Sequence, residues 1–210
     1  MKKGLIFDLD GTLWDATAQI TPSWNEVFAR YPEYGAHLTL GVTKSLMGKT
    51  MEEIAAVLFP KVEEEKRNSI IKECCNFEIT YLEKYGGVLY PHLEETLAEL
   101  AGGYLLFIVS NSQDGYVQTF LKRHELGRYF ADIEMSGRTG LDKGGSIRLL
   151  AGRNGLERAA YVGDTAGDQK GAQLAGLPFV WASYGFGLVK NADYEIREFA
   201  ELPELARKIL

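Results

Sequence analysis

A chain of 210 residues with 46% apolar and 25% charged positions has the make-up of an ordinary globular protein, which excludes a fibrous repeat or wholesale disorder. Its length admits one generous domain, or a core domain carrying a smaller insert. The net charge of −6 argues against nucleic acid as a partner, because phosphate-backbone contacts need clustered Lys and Arg; a small phosphorylated metabolite stays open, since one metal ion and a few local donors can hold it.

Two lysines and a short apolar run open the chain, "MKKGLIFDLDGTL", and Asp8 and Asp10 interrupt that run before it reaches signal-peptide length. No segment approaches the ~20 apolar residues of a membrane span, so the expectation is a cytoplasmic protein with no membrane contact. Residues 4–10 read as a buried strand that stops at a glycine turn. In extended backbone, Asp8 and Asp10 share one face while Leu9 packs inward. Two carboxylates so close repel unless a cation lies between them, and Mg²⁺ suits a site with few protein oxygen ligands. Gly11 permits the sharp turn, and Thr12 offers a hydroxyl that can hold a carboxylate or reach a substrate. A calcium-binding EF-hand loop also begins D-x-D, but Thr12 stands where an acid is needed and Gln19 replaces the closing Glu.

From Asp15 to about Tyr90 the text becomes rich in Glu, Lys, Ala, Leu and Ile at helical spacing, with no convincing buried strand. Residues 15–90 are therefore expected to form a helical cap inserted into a core made of residues 1–14 and 91–210. The cap either serves as a lid over the strand ends or is a decoration without a catalytic part; the lid is the reading adopted. Cys74 and Cys75 read as two reduced thiols, and His37, His92 and His124 share no ligand-like spacing. "GVTKSLMGKT" resembles a nucleotide-binding loop only at its end, because Gly41 lies too early. Within it Gly48, Lys49 and Thr50 are candidates for touching a substrate's leaving group, with a solvated helix start as the plainer alternative.

Beyond the insert, "GYLLFIVSNS" (103–112) climbs to Ser110 and Asn111, "AAYVGDTAGD" (159–168) ends its apolar run at Gly163 and Asp164, and "PFVWAS" (178–183) is a further short strand. Helices fit 114–125, 142–154 and 165–176. Apolar strands alternating with amphipathic helices give an α/β fold: a doubly wound, Rossmann-like parallel sheet covered on both faces. Ligands of such sheets bind beyond the carboxyl ends of the strands, where Asp8, Asp10, Ser110 and Asp164 now gather. "SYGFG" (183–187) is expected to be a loop near that edge, with no cofactor of its own.

"DLDGTL" closing a first strand resembles the signature of the haloacid dehalogenase superfamily, and the motifs that follow keep its order: Ser110 at a second strand end, Lys143, then Asp164 and Asp168 in "GDTAGD". The insert sits where members with a helical cap of the first type, phosphoglycolate phosphatases and β-phosphoglucomutases among them, carry theirs. The resemblance implies Asp8 as a nucleophile forming an aspartyl-phosphate and Asp10 as general acid and base. It implies Ser110 as a donor to a phosphate oxygen with Asn111 assisting, and Lys143 as the fixed positive charge. It places Mg²⁺ on Asp8, on the backbone carbonyl of Asp10 and on Asp164, with Asp168 supporting through water or by holding Lys143. Gly144 is a departure, since many relatives have proline there.

The function so implied is a Mg²⁺-dependent phosphatase for a small phosphorylated metabolite, working as a monomer or homodimer. A phosphosugar mutase shares every core motif, and a receiver domain shares the acidic cluster, hydroxyl and lysine. Receiver domains, however, are shorter and lack the helical insert.

Overall fold

The computed structural model describes residues 1–210. In chain order the elements are β1 (Lys3–Phe7), β2 (Trp14–Asp15), α1 (Thr17–Phe28), α2 (Leu40–Leu46), α3 (Met51–Leu58), α4 (Glu64–Tyr85), β3 (Val88–Leu89), α5 (Leu93–Ala101), β4 (Leu105–Ser110) and α6 (Tyr116–Arg123). They are followed by β5 (Phe130–Met135), α7 (Ser136–Thr139), α8 (Lys143–Asn154), β6 (Arg158–Gly163), α9 (Ala166–Ala175), β7 (Phe179–Ala182), β8 (Tyr194–Ile196) and α10 (Leu202–Ile209).

Six strands form one sheet in the order β5-β4-β1-β6-β7-β8, and every pairing in it is parallel. The period of two along each strand explains why the inner ones read as unbroken apolar runs. Leu5, Phe7, Leu106, Ile108, Ala160 and Val162 enter the core on one face, while Ile6, Phe107, Val109 and Tyr161 enter the core on the other. The first of these cores continues into the helical segment through Trp24, Val27, Phe28, Ile54 and Ile70.

Strand β1 lies between β4 and β6, so the chain leaves it toward one side of the sheet and returns on the other. A crevice opens at the carboxyl end of a strand placed at such a reversal, and that end carries Asp8. Helices α1 to α4 all lie between β2 and β3, whose antiparallel pairing, Trp14 with Leu89 and Asp15 with Val88, brings together the two ends of the segment. No helix is long and apolar enough to cross a membrane.

The expected first strand ends sooner than its apolar run suggests. After Phe7 the chain folds into a tight loop in which the Leu9 carbonyl accepts from the amides of Thr12, Leu13 and Trp14, and Gly11 takes φ +84°. That turn corrects the reading of Thr12. Its side chain is fully buried, its hydroxyl has no partner, and it neither holds a carboxylate nor lines the cleft.

Candidate active site

The loop after β1 delivers two carboxylates to one cleft and binds them differently. Asp8 is buried, with its amide on the Val162 carbonyl (2.8 Å) and its Oδ1 2.5 Å from Lys143 Nζ. Asp10 is only partly buried, and its Oδ1 accepts from Trp14 Nε1 (3.0 Å) and Tyr116 Oη (2.8 Å). No hydrogen bond engages the second oxygen of either residue, and both residues line the cleft. Burial and the charge of Asp168 push Asp8 up to about 7 against the pull of Lys143; burial lifts Asp10 to about 6 although Tyr116 and Trp14 oppose it.

Lys143 comes from the first turn of α8, where the Asp142 side chain caps the helix by accepting from Gly145 N (2.7 Å). Two glycines let α8 and α9 approach closely enough to bury the lysine. A Cβ on Gly171 would stand 2.6 Å from Lys143 Cγ, and one on Gly144 would stand 2.7 Å from Leu174 Cβ. Gly144 therefore has a packing reason. Burial disfavours the charged ammonium, but Asp168 at 3.0 Å and Asp8 hold it protonated, with its pKa raised above the ordinary value.

Asp164 and Asp168 flank the start of α9. Asp168 closes a capping box with Thr165, whose amide and hydroxyl donate to Oδ2 at 3.0 and 2.7 Å, so this acid both caps the helix and fixes Lys143. Asp164 Oδ2 accepts from Phe186 N (2.7 Å), within the glycine-rich loop after β7. A Cβ on Gly11 would fall 2.2 Å from that oxygen, and one on Gly185 would fall 2.3 Å from Asp164 Cβ, so two glycines are needed to seat this carboxylate. Asp164 Oδ1 is buried with no partner at all, and burial raises the group to about 8.

Carboxylate oxygens of Asp8, Asp164 and Asp168 lie within 4.8 Å of one another. Lys143 and Thr165 already serve Asp168, which leaves the unpartnered oxygens of Asp8 and Asp164. The enclosed, unpartnered Oδ1 of Asp164 and the free oxygen of Asp8, whose charges repel, fit a hard divalent cation such as Mg²⁺. The carboxylate of Asp10 stands apart from this group, because Trp14 and Tyr116 turn it toward the cleft.

Ser110, at the end of β4, lines the cleft with its hydroxyl accepting only from Ser112 N (3.2 Å), so its own proton is free to be donated. Asn111 lines the cleft as well, and its side chain is engaged in two hydrogen bonds. Its amide donates to the Gly48 carbonyl (2.9 Å) and accepts from Ser136 Oγ (3.1 Å), tying the helical segment to the sheet edge. Gly48 takes φ +79° and packs against Thr165, and half-buried Lys49 beside it lines the cleft with a side chain that makes no ion pair or hydrogen bond. The cleft, about 50 Å³ in volume, runs from Asp8 and Ser110 to Ile20, Trp24, Leu46 and Ile54.

Among the lining residues that escaped the sequence reading are Tyr116 and Glu78. Tyr116 reads as a core aromatic at the start of a helix. Glu78 lies in a helix dense with charge, although its position continues the stripe Ile71, Cys75 and Leu82, a spacing that marks it as buried.

The chain is 30% identical over 229 residues to the phosphoglycolate phosphatase of Pasteurella multocida (strain Pm70) and 29% identical over 215 residues to that of Haemophilus influenzae (strain 86-028NP), covering 93% of this chain and 94% of each relative. Its fold matches a haloacid dehalogenase-like family hydrolase from Streptococcus pneumoniae with a TM-score of 0.80 at 23% identity, covering 97% of this chain and 98% of that one. It matches CbbY from Rhodobacter sphaeroides with a TM-score of 0.76 at 20% identity, covering 96% of each. The family model for haloacid dehalogenase-like hydrolases spans residues 5–182, and the chain belongs to that family.

Proposed function

We propose that the protein is a Mg²⁺-dependent phosphatase that hydrolyses a small phosphate monoester through an aspartyl-phosphate on Asp8. The observation that carries this reading is the pair of unpartnered oxygens on Asp8 and Asp164 beside a lysine fixed by two carboxylates, all at one end of a cleft. The phosphatase relatives support it.

In the first half-reaction an Asp8 oxygen attacks phosphorus, the ester P–O bond breaks, and the leaving oxygen takes a proton from Asp10. Lifted to about 6 and aimed by Tyr116 and Trp14, Asp10 can hold that proton near neutrality and then accept one back. In the second half, water gives a proton to Asp10 and attacks phosphorus, releasing phosphate and restoring the Asp8 carboxylate. Lys143 and the Ser110 hydroxyl bind phosphoryl oxygens as charge builds on them. The Asp8 and Asp164 carboxylates would hold Mg²⁺, which supplies positive charge to the phosphoryl group. The helical segment, fastened through Gly48 and Asn111, excludes bulk water.

Phosphate release from a panel of monoesters, with and without Mg²⁺, tests this. Turnover is expected to require the metal and to fall by about 10³-fold or more in Asp8→Asn. Wild-type turnover in that variant overturns the assignment.

A further inference from the structure

The middle of α4 carries an acid that the reaction above leaves idle. Glu78 is 3% exposed and lines the cleft together with Asp10, Tyr116, Trp24 and Lys49. Two neutral donors meet one of its oxygens: Trp24 Nε1 reaches Oε2 at 2.9 Å and Gln113 Nε2 reaches it at 3.4 Å. Gln113 follows Ser110 by three residues, so the second bond ties Glu78 to the loop that carries the phosphate-binding hydroxyl. No cation pairs with the acid. The charge that acts on it, Asp10, has the same sign, Tyr116 faces it from α6, and Cys74 and Cys75 lie one turn away on α4. A carboxylate so enclosed is costly without a counter-charge, and burial pushes Glu78 up to about 8, so near neutrality it is a carboxylic acid. Because Oε2 accepts twice, the proton sits on Oε1. Oε1 receives no hydrogen bond, yet it is not among the enclosed polar atoms that lack one, so this O–H opens on the cleft.

Resting on the phosphatase reading, we propose that Glu78 binds substrate as a neutral acid, donating from Oε1 to an acceptor oxygen of the leaving group, a hydroxyl, carbonyl or carboxylate. Asp8 and Ser110 line the same cleft, and an ester held there presents its leaving group to the wall that includes this O–H. An acceptor oxygen pairs with the acid, more strongly when that oxygen is charged. A leaving group that ends in an ammonium brings a donor to a donor and is disfavoured. Once ionised, Glu78 becomes an acceptor beside Asp10 and the phosphate. Binding of an acceptor-bearing ester is therefore strongest below the folded pKa of Glu78 and weakens as pH rises through it.

The two bonds to Oε2 make Glu78→Gln a diagnostic change. With the amide oxygen accepting from Trp24 and Gln113, the NH₂ group stands where the acid O–H was, and this donor does not ionise. Rates are measured with Mg²⁺ at pH 6.5 and pH 9 on glycerol 3-phosphate, phosphoglycolate, O-phosphoethanolamine and phenyl phosphate, whose leaving group has no acceptor beyond the ester oxygen. Comparing variant with wild type at one pH cancels the titration of Asp8, Asp10 and the phosphate itself.

For the better of the two acceptor esters, glycerol 3-phosphate and phosphoglycolate, the ratio of kcat/KM in Glu78→Gln to that in the wild type is expected to rise by about 10-fold from pH 6.5 to pH 9. At pH 9 about one wild-type molecule in ten still carries the proton, and the change is expected in KM. Phenyl phosphate is expected to show no such rise, and the wild type at pH 6.5 is expected to prefer the acceptor ester over O-phosphoethanolamine by about 10-fold. Should the variant fold poorly, the wild type alone is expected to show KM for the acceptor ester rising by about 10-fold relative to phenyl phosphate over the same interval. A level ratio, a rise shared by phenyl phosphate, or a preference for O-phosphoethanolamine at pH 6.5 overturns the assignment of Glu78 alone. So does a wild type that hydrolyses phenyl phosphate but neither acceptor ester. A wild type that hydrolyses none of the four esters overturns the phosphatase reading, and this inference with it.

Discussion

Asp8 and Asp10 are separated by one residue, and the side chains around them make them chemically different. An ammonium faces one oxygen of Asp8 and no donor faces the other; two neutral donors face Asp10, so it is aimed without being strongly acidified. Tyr116→Phe removes one of the two bonds that aim Asp10, and steady-state kinetics should show kcat lower by about 10-fold with little change in KM. A changed KM with unaltered kcat would place Tyr116 in binding only. Glu78 offers a test in stability. Burial raises its folded pKa from 4.5 to about 8, so the folded state keeps a proton that the unfolded chain gives up. The resulting penalty is absent below the unfolded value and grows as pH rises from 4.5 toward 8. Urea unfolding at pH 5 and pH 8 should therefore show Glu78→Gln gaining on the wild type at the higher pH, by up to ~4 kcal/mol. An equal difference at both pH values would mean that Glu78 is not held neutral by burial.

Helices α8 and α9 act as a unit, because the lysine that meets Asp8 is seated against a glycine of the neighbouring helix. Gly171→Ala puts a methyl 2.6 Å from Lys143 Cγ and should cost about 1–3 kcal/mol in stability, with activity falling as the ammonium is displaced. Gly152→Ala, in the same α8 but with open space around its Cβ, should stabilise by about 0.5–1 kcal/mol and leave turnover unchanged. Thermal unfolding and phosphate release on both variants check the pair; equal effects would mean that the close approach is unimportant. The same elements indicate what a reader of the sequence can and cannot see. Strands β1, β4, β6 and β7 are continuous apolar runs because the sheet is covered on both faces. Edge strand β5 carries Asp132 and Glu134, edge strand β8 is three residues long, and β2 and β3 have two residues each, so none shows a strand pattern. Asp8, Asp10, Ser110, Lys143, Asp164 and Asp168 were legible because strand ends and helix starts carry them. Thr12 was misplaced, since the turn at Gly11 buries it. Glu78 and Tyr116 were missed because their roles arise from how α4 and α6 meet the sheet edge, a relation that no local spacing encodes.

Across the molecule, β1 at the reversal of the sheet and the helices between β2 and β3 bring one cleft over one acidic cluster. That cluster is electrostatically costly without a cation, so Mg²⁺ should raise the melting temperature by mass action, by about 5–10 °C at a concentration ~100 times its dissociation constant. Asp164→Asn should weaken that response, and a Tm indifferent to Mg²⁺ in the wild type would contradict the cation site. The claim on which the whole account turns is that phosphorus is transferred to residue 8. The most direct measurement is to quench the wild type in acid during turnover of an ester that it hydrolyses, digest it, and locate the phosphoryl group by mass spectrometry. The account predicts an acid-trapped, hydroxylamine-labile phosphoryl adduct on Asp8 that is missing from Asp8→Asn; an adduct on another residue, or undiminished turnover in that variant, would contradict it.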